Sequence, residues 1–145
     1  MTSKPFQQVD VHLLWATAGR APILTSDVRG WLWPAMAECA RSVGCHRVVV
    51  GGYSDHVHVV AALPMTVAIA ELVRRLKGAS VRLMHIKGLV GARWQEGYTA
   101  LAVSRDRLAT VEAYVLNQEQ HHSSGQADLD AEASEFGMLS PVGAS

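Results

Sequence analysis

The chain has 145 residues, of which 49% are hydrophobic and 18% are charged, and its formal net charge is zero. These values are typical of one globular domain and argue against an intrinsically disordered chain. No apolar run approaches the roughly 20 residues of a transmembrane helix, and residues 1–5 lack the apolar segment of a signal peptide. We therefore expect a soluble, cytoplasmic protein that does not enter the membrane.

The charges are distributed unevenly along the chain. Residues 71–107 carry eight Lys or Arg against three acidic residues, whereas residues 108–145 carry six acidic residues and no Lys or Arg. The basic segment predicts a surface for an anionic partner, although solvated helix faces produce the same pattern. Cys39 and Cys45 are six residues apart, which favours two reduced buried thiols over a structural disulfide.

The first predicted elements are a strand and a helix. Residues 9–17 alternate as a β-strand does, and His12 lies on the face opposite the bulky apolar residues. We interpret His12 as an ordinary core or sheet-face histidine. The next helix is capped at Ser26 or Asp27 and ended by Gly44, with Pro34 expected near its first turn or at a kink.

Two β-branched runs follow, at residues 46–50 and 54–63, and a glycine-rich turn joins them. We expect an antiparallel pair near the centre of the sheet. His56 and His58 are two residues apart on the second strand, so both imidazoles face the same way. They form a half-site for a divalent metal, although core histidines satisfied by hydrogen bonds are the alternative.

The second half of the chain predicts a long amphipathic helix, a strand and a last helix. Residues 66–87 have one apolar stripe and a basic outer face, residues 99–103 are a strand, and residues 105–122 are helical. The inward stripe of the last helix becomes polar at Gln118, one turn after Tyr114. A buried amide needs a partner, and a metal held by the two histidines would provide one; a helix end that reaches solvent is the alternative.

These segments resemble the single-tyrosine HUH transposases of small bacterial insertion sequences, the IS200-like family. The likeness covers about residues 9–122 and follows the family's order and separations. Its motifs are Val11-His12-Leu13-Leu14-Trp15, Ser54-Asp55-His56-Val57-His58, Leu76-Lys77-Gly78, Trp94-x-x-Gly97-Tyr98, and the run from Tyr114 to His122.

The resemblance implies a ferredoxin-like, RNA-recognition-like α/β sandwich with helices packed on a central antiparallel sheet. The transposase domain would span residues 1–122, and residues 123–145 would form an acidic tail outside it. Family members act as homodimers on single-stranded DNA with hairpin ends. The tyrosine helix often serves the metal site of the partner subunit, and we expect the dimer here.

The resemblance also assigns roles to individual residues. His56, His58 and Gln118 would bind Mg²⁺ or Mn²⁺, and Asp55 would orient a ligand. Tyr114 would cleave single-stranded DNA, leave a 5′-phosphotyrosine, and allow the strands to be rejoined without ATP. This resemblance predicts a metal-dependent transposase.

Our candidate DNA-binding surface is basic and lies largely on the long helix. Its members are Arg74, Lys77, Arg82, Lys87 and Arg93. Such residues supply position on the DNA backbone rather than sequence readout. The neutral net charge departs from what is expected of a DNA transposase, which leaves the role of the acidic tail open.

Two other functions fit parts of the pattern. One is a non-catalytic or domesticated module on the same fold that binds single-stranded nucleic acid. The other is a phosphoesterase that uses the histidines as acid and base. Such enzymes generally need a second histidine motif, and the chain offers only scattered histidines at His12, His46 and His85.

Overall fold

A four-stranded antiparallel sheet forms the centre of the fold in this computed structural model, which describes residues 8–118. The elements are β1 (Gln8–Ala16), α1 (Ser26–Val43), β2 (His46–Gly52), β3 (His56–Pro64), α2 (Ile69–Ile86), β4 (Thr99–Ala102) and α3 (Leu108–Leu116). Short 3₁₀ turns lie at Ala18–Arg20 and Arg105–Arg107. The β-α-β-β-α-β order is that of the ferredoxin-like fold, so the predicted fold class is confirmed.

The strand order is β2-β3-β1-β4, which makes β3 and β1 the central strands. The predicted antiparallel pairing of β2 with β3 is confirmed. The prediction that both lie near the sheet centre is wrong for β2, which is an edge strand. Its apolar sequence reflects the helices that pack on it rather than a second neighbouring strand.

Helix α1 begins and continues differently from the prediction. The side chain of Thr25 caps it by accepting a hydrogen bond from the backbone N–H of Val28, at 3.3 Å. Pro34 lies inside the helix rather than in its first turn. Gly44 ends the helix as predicted, in the left-handed conformation with φ of 111° that favours glycine.

Helices α1 and α2 pack on one face of the sheet, where the main core lies. Val57, Val59 and Ala61 of β3 point into this core together with Leu32 of α1 and Leu76 of α2. The core also contains Val11, Leu13 and Trp15 of β1. The alternation predicted for β1 is therefore confirmed.

Helix α3 packs on the opposite face of the sheet. Leu108, Val111 and Val115 are buried there against Val60 of β3. Isolated helices shorter than about 12–15 residues are marginal in water, so these contacts hold the nine-residue α3 in place. Strand β3 is consequently covered on both faces, which explains its nearly continuous apolar sequence.

Two predictions for the ends of the chain fall outside the range of residues that the structure describes. His122 and the proposed tail at residues 123–145 lie outside it, as do residues 1–7. Within the described range, no helix combines the length and the apolar character needed to cross a bilayer.

Candidate active site

His56 and His58 lie side by side on β3, on the sheet face that α3 covers. Both side chains are buried, and their ring centroids are 5.2 Å apart. Their position follows from the alternation of β3, which sends Val57 and Val59 to the other face. The strand therefore builds the core with one set of residues and presents two imidazoles with the other.

His56 is oriented by Asp55 and, through it, by Arg20. Nδ1 of His56 lies 2.8 Å from Oδ1 of Asp55, and Nε of Arg20 donates to Oδ2 at 2.9 Å. Burial alone would raise the pKa of Asp55, but the hydrogen bonds from His56 and Arg20 outweigh it and lower that pKa to about 2. Because Asp55 is thus a carboxylate at neutral pH, Nδ1 of His56 donates its proton to it.

Gln118 reaches the other nitrogen of the same ring. Its Oε1 lies 3.1 Å from Nε2 of His56, and its Nε2 donates to the backbone oxygen of Tyr114 at 3.3 Å. Because Nδ1 of His56 donates its proton to Asp55, Nε2 of the neutral ring has a lone pair that faces a lone pair on Oε1 of Gln118. This repulsion is avoided if Nε2 also carries a proton. A cation therefore belongs between them, either that proton or a metal ion.

The separation of Nε2 of His56 and Oε1 of Gln118 suits two adjacent ligands of a divalent metal. Mg²⁺ binds oxygen at about 2.0–2.1 Å, so adjacent ligands of an octahedral ion lie about 3 Å apart, close to the observed Nε2–Oε1 separation. Among residues 8–118, His, Cys, Asp and Glu form no group of three or more that could hold a metal. A metal held at this point would take the amide oxygen of Gln118 as a ligand beside the two imidazoles.

His58 contacts two other aromatic side chains. Its Nδ1 lies 2.8 Å from Nε2 of His12, and the two ring centroids are 5.1 Å apart. The ring of Tyr114 meets His58 edge to face, with centroids 5.9 Å apart. The structure therefore brings together the four residues predicted as metal ligands and nucleophile, and it adds His12.

The sequence interpretation of His12 captured its burial but missed this contact. In the β1–β3 register Leu14 lies opposite His58 and His12 lies opposite Val60, so the two histidines are diagonal neighbours on one face. The alternation of β1 shows on which face of that strand His12 lies. The pairing of β1 with β3 was the missing information.

Two contacts between β2 and α3 set the position of Tyr114 and Gln118. A Cβ on Gly51 would overlap the backbone oxygen of Val115, so the helix lies closer to the strand than any other residue would allow. The guanidinium of Arg47 donates to Glu112 of α3 at 3.2 Å. The sequence predicted a turn at Gly51 but not this close approach of β2 and α3.

The predicted DNA-binding residues lie away from the two histidines. Arg74 forms a bidentate pair with Glu71, at 3.0 and 2.6 Å, on α2, which covers the opposite face of the sheet. Arg82 and Lys87 are exposed there. Arg93 is exposed on a different segment, whose backbone oxygen accepts from the N–H of Ala18 after β1.

Lys77 differs from the other members of the predicted surface. Its ammonium donates to the backbone oxygens of Gln95 and Gly97, at 2.9 and 2.8 Å, and lies over the ring of Trp15. Burial lowers its pKa. The charge of Lys77 is therefore used to hold the segment before β4.

Comparison with known protein families identifies the family of this chain. The model described as "Transposase IS200 like" matches residues 5–118. Among curated proteins, the ISDra2 transposase TnpA of Deinococcus radiodurans is 29% identical over 118 residues, which cover 77% of this chain and 84% of that protein.

Two solved structures are similar to this chain. A crystal structure of a Deinococcus radiodurans R1 protein described as a transposase has a TM-score of 0.65 and 28% identity, and the likeness covers 81% of this chain and 98% of that one. A REP-associated tyrosine transposase bound to a REP hairpin has a TM-score of 0.59 and covers 100% of this chain and 92% of that one. At 16% identity, the second likeness shows the fold alone.

Proposed function

The chain belongs to the IS200-like transposase family, and on that premise we propose that it cleaves and rejoins single-stranded DNA through a covalent bond to Tyr114. The observation that carries the proposal is the meeting of α3 with β3. Gln118 lies 3.1 Å from His56 although 62 residues separate them, and Tyr114 packs against His58. The proposed nucleophile and the three proposed metal ligands thus lie in one cluster.

The proposed chemical step exchanges one phosphodiester for another. The phenolic oxygen of Tyr114 attacks the scissile phosphorus and forms a P–O bond, the bond from phosphorus to the 3′ oxygen breaks, and the phenolic proton is lost to water. The 3′ oxygen takes up a proton and leaves as a hydroxyl, so the tyrosine holds the 5′ phosphate. Because no phosphoester is lost, a second 3′ hydroxyl can reverse the step and join new ends.

His56, His58 and Gln118 would hold Mg²⁺ or Mn²⁺, which would stabilise the charge that develops on the phosphate. Asp55 and Arg20 hold the ring of His56 through its Nδ1. The Gln118 amide is fixed in turn by its hydrogen bond to the backbone of Tyr114. The proposed ligand and the proposed nucleophile are therefore held together at the end of α3.

We also propose single-stranded DNA with hairpin ends as the substrate and a homodimer as the active form. The hairpin is supported by the similar REP-associated transposase, which is bound to one. The contacts of α3 with β3 described above form within one chain, so exchange of helices between subunits remains a prediction. Arg74, Arg82, Lys87 and Arg93 are the exposed cations that we propose for DNA phosphates.

An adduct assay tests this function. The protein is incubated with a 5′- or 3′-labelled single-stranded hairpin and Mn²⁺, and products are separated under denaturing conditions. We expect a protein–DNA adduct that carries the strand 3′ of the cut, that disappears with EDTA, and that is absent in Tyr114→Phe. Tyr98→Phe is the matched control and should form the adduct.

Binding of the hairpin by wild type without any adduct, in the presence of Mn²⁺, would contradict the proposal. That result would favour the non-catalytic nucleic-acid-binding module. Hairpin affinity should stay within a few-fold in Tyr114→Phe, since only the phenolic oxygen is removed.

A further inference from the structure

His12 is a buried histidine that the proposed cleavage step does not use. Its side chain is 1% exposed, and it projects from β1 onto the face that holds His56 and His58. Its Nε2 lies 2.8 Å from Nδ1 of His58. The two rings are nearly parallel, with an interplanar angle of 28°.

The hydrogen bond between these rings determines which nitrogen of His58 is available. An imidazole binds a metal through a nitrogen that has a lone pair, and the proton then sits on the other nitrogen. Nδ1 of His58 faces His12, so a metal bound by this ring would be held through Nε2. In the neutral ring, Nδ1 must therefore donate to Nε2 of His12, and the proton of His12 must lie on its own Nδ1.

We propose that His12 is a positioning residue that fixes the tautomer and the ring orientation of His58. The proposal rests on the metal-binding role proposed for His58. The same arrangement occurs at His56, where Asp55 receives the proton of Nδ1. Each of the two histidines thus has its Nδ1 engaged by a neighbouring side chain, so each ring would bind a metal through Nε2.

Asp55 and His12, which accept the protons of His56 and His58, differ in charge, and the proposed substrate gives a reason for the difference. Asp55 is negative, and Arg20 partly offsets its charge at 2.9 Å. His12 accepts the proton of His58 as a neutral ring. A second carboxylate at this position would add another negative charge close to the bound phosphodiester, which is itself an anion. A neutral imidazole orients His58 without that repulsion.

The backbone around His12 suits a positioning role. Strands β1 and β3 are the central pair of the sheet and remain in register from Gln8 opposite Pro64 to Ala16 opposite His56. The relative position of the two rings is therefore fixed by a continuous ladder of hydrogen bonds. Neither ring lies on a loop.

The test compares three variants by two measurements. His12→Gln keeps an amide oxygen close to the position of Nε2 and can still accept from His58, whereas His12→Leu fills similar space and cannot. Leu101→Ala, at the position opposite His12 on β4, is the control for lost packing. The ¹⁵N chemical shifts of the His58 ring are recorded in metal-free protein, and Mn²⁺ affinity is measured by calorimetry.

In wild type we expect His58 to be protonated on Nδ1 without metal. In His12→Leu the ring should exchange between both tautomers, and Mn²⁺ affinity should fall about 10- to 100-fold. His12→Gln should restore the Nδ1 tautomer and most of the affinity, and Leu101→Ala should change neither.

Three results would overturn the inference. They are a wild-type His58 protonated on Nε2, a His12→Leu protein that keeps both tautomer and affinity, and an equal loss in His12→Gln and His12→Leu. The metal-free spectra decide the matter even if no variant binds Mn²⁺ and no DNA adduct forms. Failure of the proposed function is therefore distinguishable from failure of this inference.

Discussion

The side-chain oxygen of Gln118, two residues after the end of α3, lies 3.1 Å from Nε2 of His56 on β3. The contact depends on the orientation of both groups. Asp55 engages the other nitrogen of the ring, and the backbone of Tyr114 engages the amide nitrogen. The hydrogen bonds on both sides therefore turn Nε2 of His56 and Oε1 of Gln118 toward each other.

Gln118→Leu tests whether this pair binds a metal. Leucine has a similar volume but no oxygen, so we expect Mn²⁺ affinity to fall by about tenfold or more, by comparison with the 10- to 100-fold loss on removal of an outer-sphere partner. Calorimetry measures the affinity. The adjacent exposed variant Asn117→Leu is the control, and equal affinities in both variants would remove Gln118 from the ligand set.

Gly51→Ala tests the docking of α3. The added methyl group would overlap the Val115 carbonyl oxygen, so the helix must shift, and overpacking of this kind costs about 1–3 kcal/mol. We expect lower stability in urea and loss of the DNA adduct. Gly78→Ala is the matched control because a Cβ there meets nothing within 4 Å.

For the control Gly78→Ala we expect stability in urea to rise rather than fall. Gly78 lies inside α2, where alanine is more favourable than glycine by about 0.8–1.0 kcal/mol. Gly51→Ala with unchanged stability and full adduct formation would show that α3 adjusts without consequence for the site.

Arg20→Leu tests the support of His56 through Asp55. The variant removes a hydrogen-bonded ion pair of 2.9 Å that orients the carboxylate, and we expect Mn²⁺ affinity to drop about tenfold. Arg41→Leu removes an exposed pair with Glu38 on α1 and should leave the affinity unchanged. An unaltered affinity in Arg20→Leu would mean that Asp55 holds His56 alone.

Lys77→Met and Arg82→Met should behave differently. The first removes the donor from the backbone oxygens of Gln95 and Gly97, which should cost about 1–3 kcal/mol in urea unfolding. The second should leave stability unchanged and lower the salt dependence of single-stranded DNA binding by about 0.7 in the slope of log K against log salt. The prediction would be wrong if Lys77→Met and Arg82→Met had the same stability in urea and the same salt dependence of DNA binding.

The thiols should be unreactive in the folded protein. Burial, with a smaller effect of Cys39, raises the pKa of Cys45 to about 11, and burial also raises that of Cys39. Because the thiolate is the reactive form, its fraction at pH 8 falls as the pKa rises. We expect iodoacetamide at pH 8 to label Cys45 only after unfolding, as measured by mass spectrometry. Rapid native labelling would contradict the burial of this side chain.

Much of the site was predictable because it depends on periodicity within single elements. The spacing of His56 and His58 put both rings on one face, and helical spacing put Gln118 on the same stripe as Val111 and Val115. Both conclusions need only the geometry of a strand or of a helix. The buried positions of these residues agree with the prediction.

The remaining features depend on which elements are neighbours. The contact of His12 with His58 requires the register of β1 on β3, and the pair of Arg20 with Asp55 requires that the turn after β1 reach the start of β3. Lys77 looked like a free surface cation because a helical wheel does not show the loop that covers it. These are tertiary relationships that one sequence does not display.

Strand β3 carries the core and the site in alternating residues, and this has a consequence for how the chain tolerates change. A slip of one residue in its pairing would exchange the imidazoles with Val57 and Val59. The imidazole rings would then lie in the apolar core, and the two valines would face the amide of Gln118. Insertions and deletions within this strand should therefore destabilise the fold itself, whatever their effect on the proposed activity.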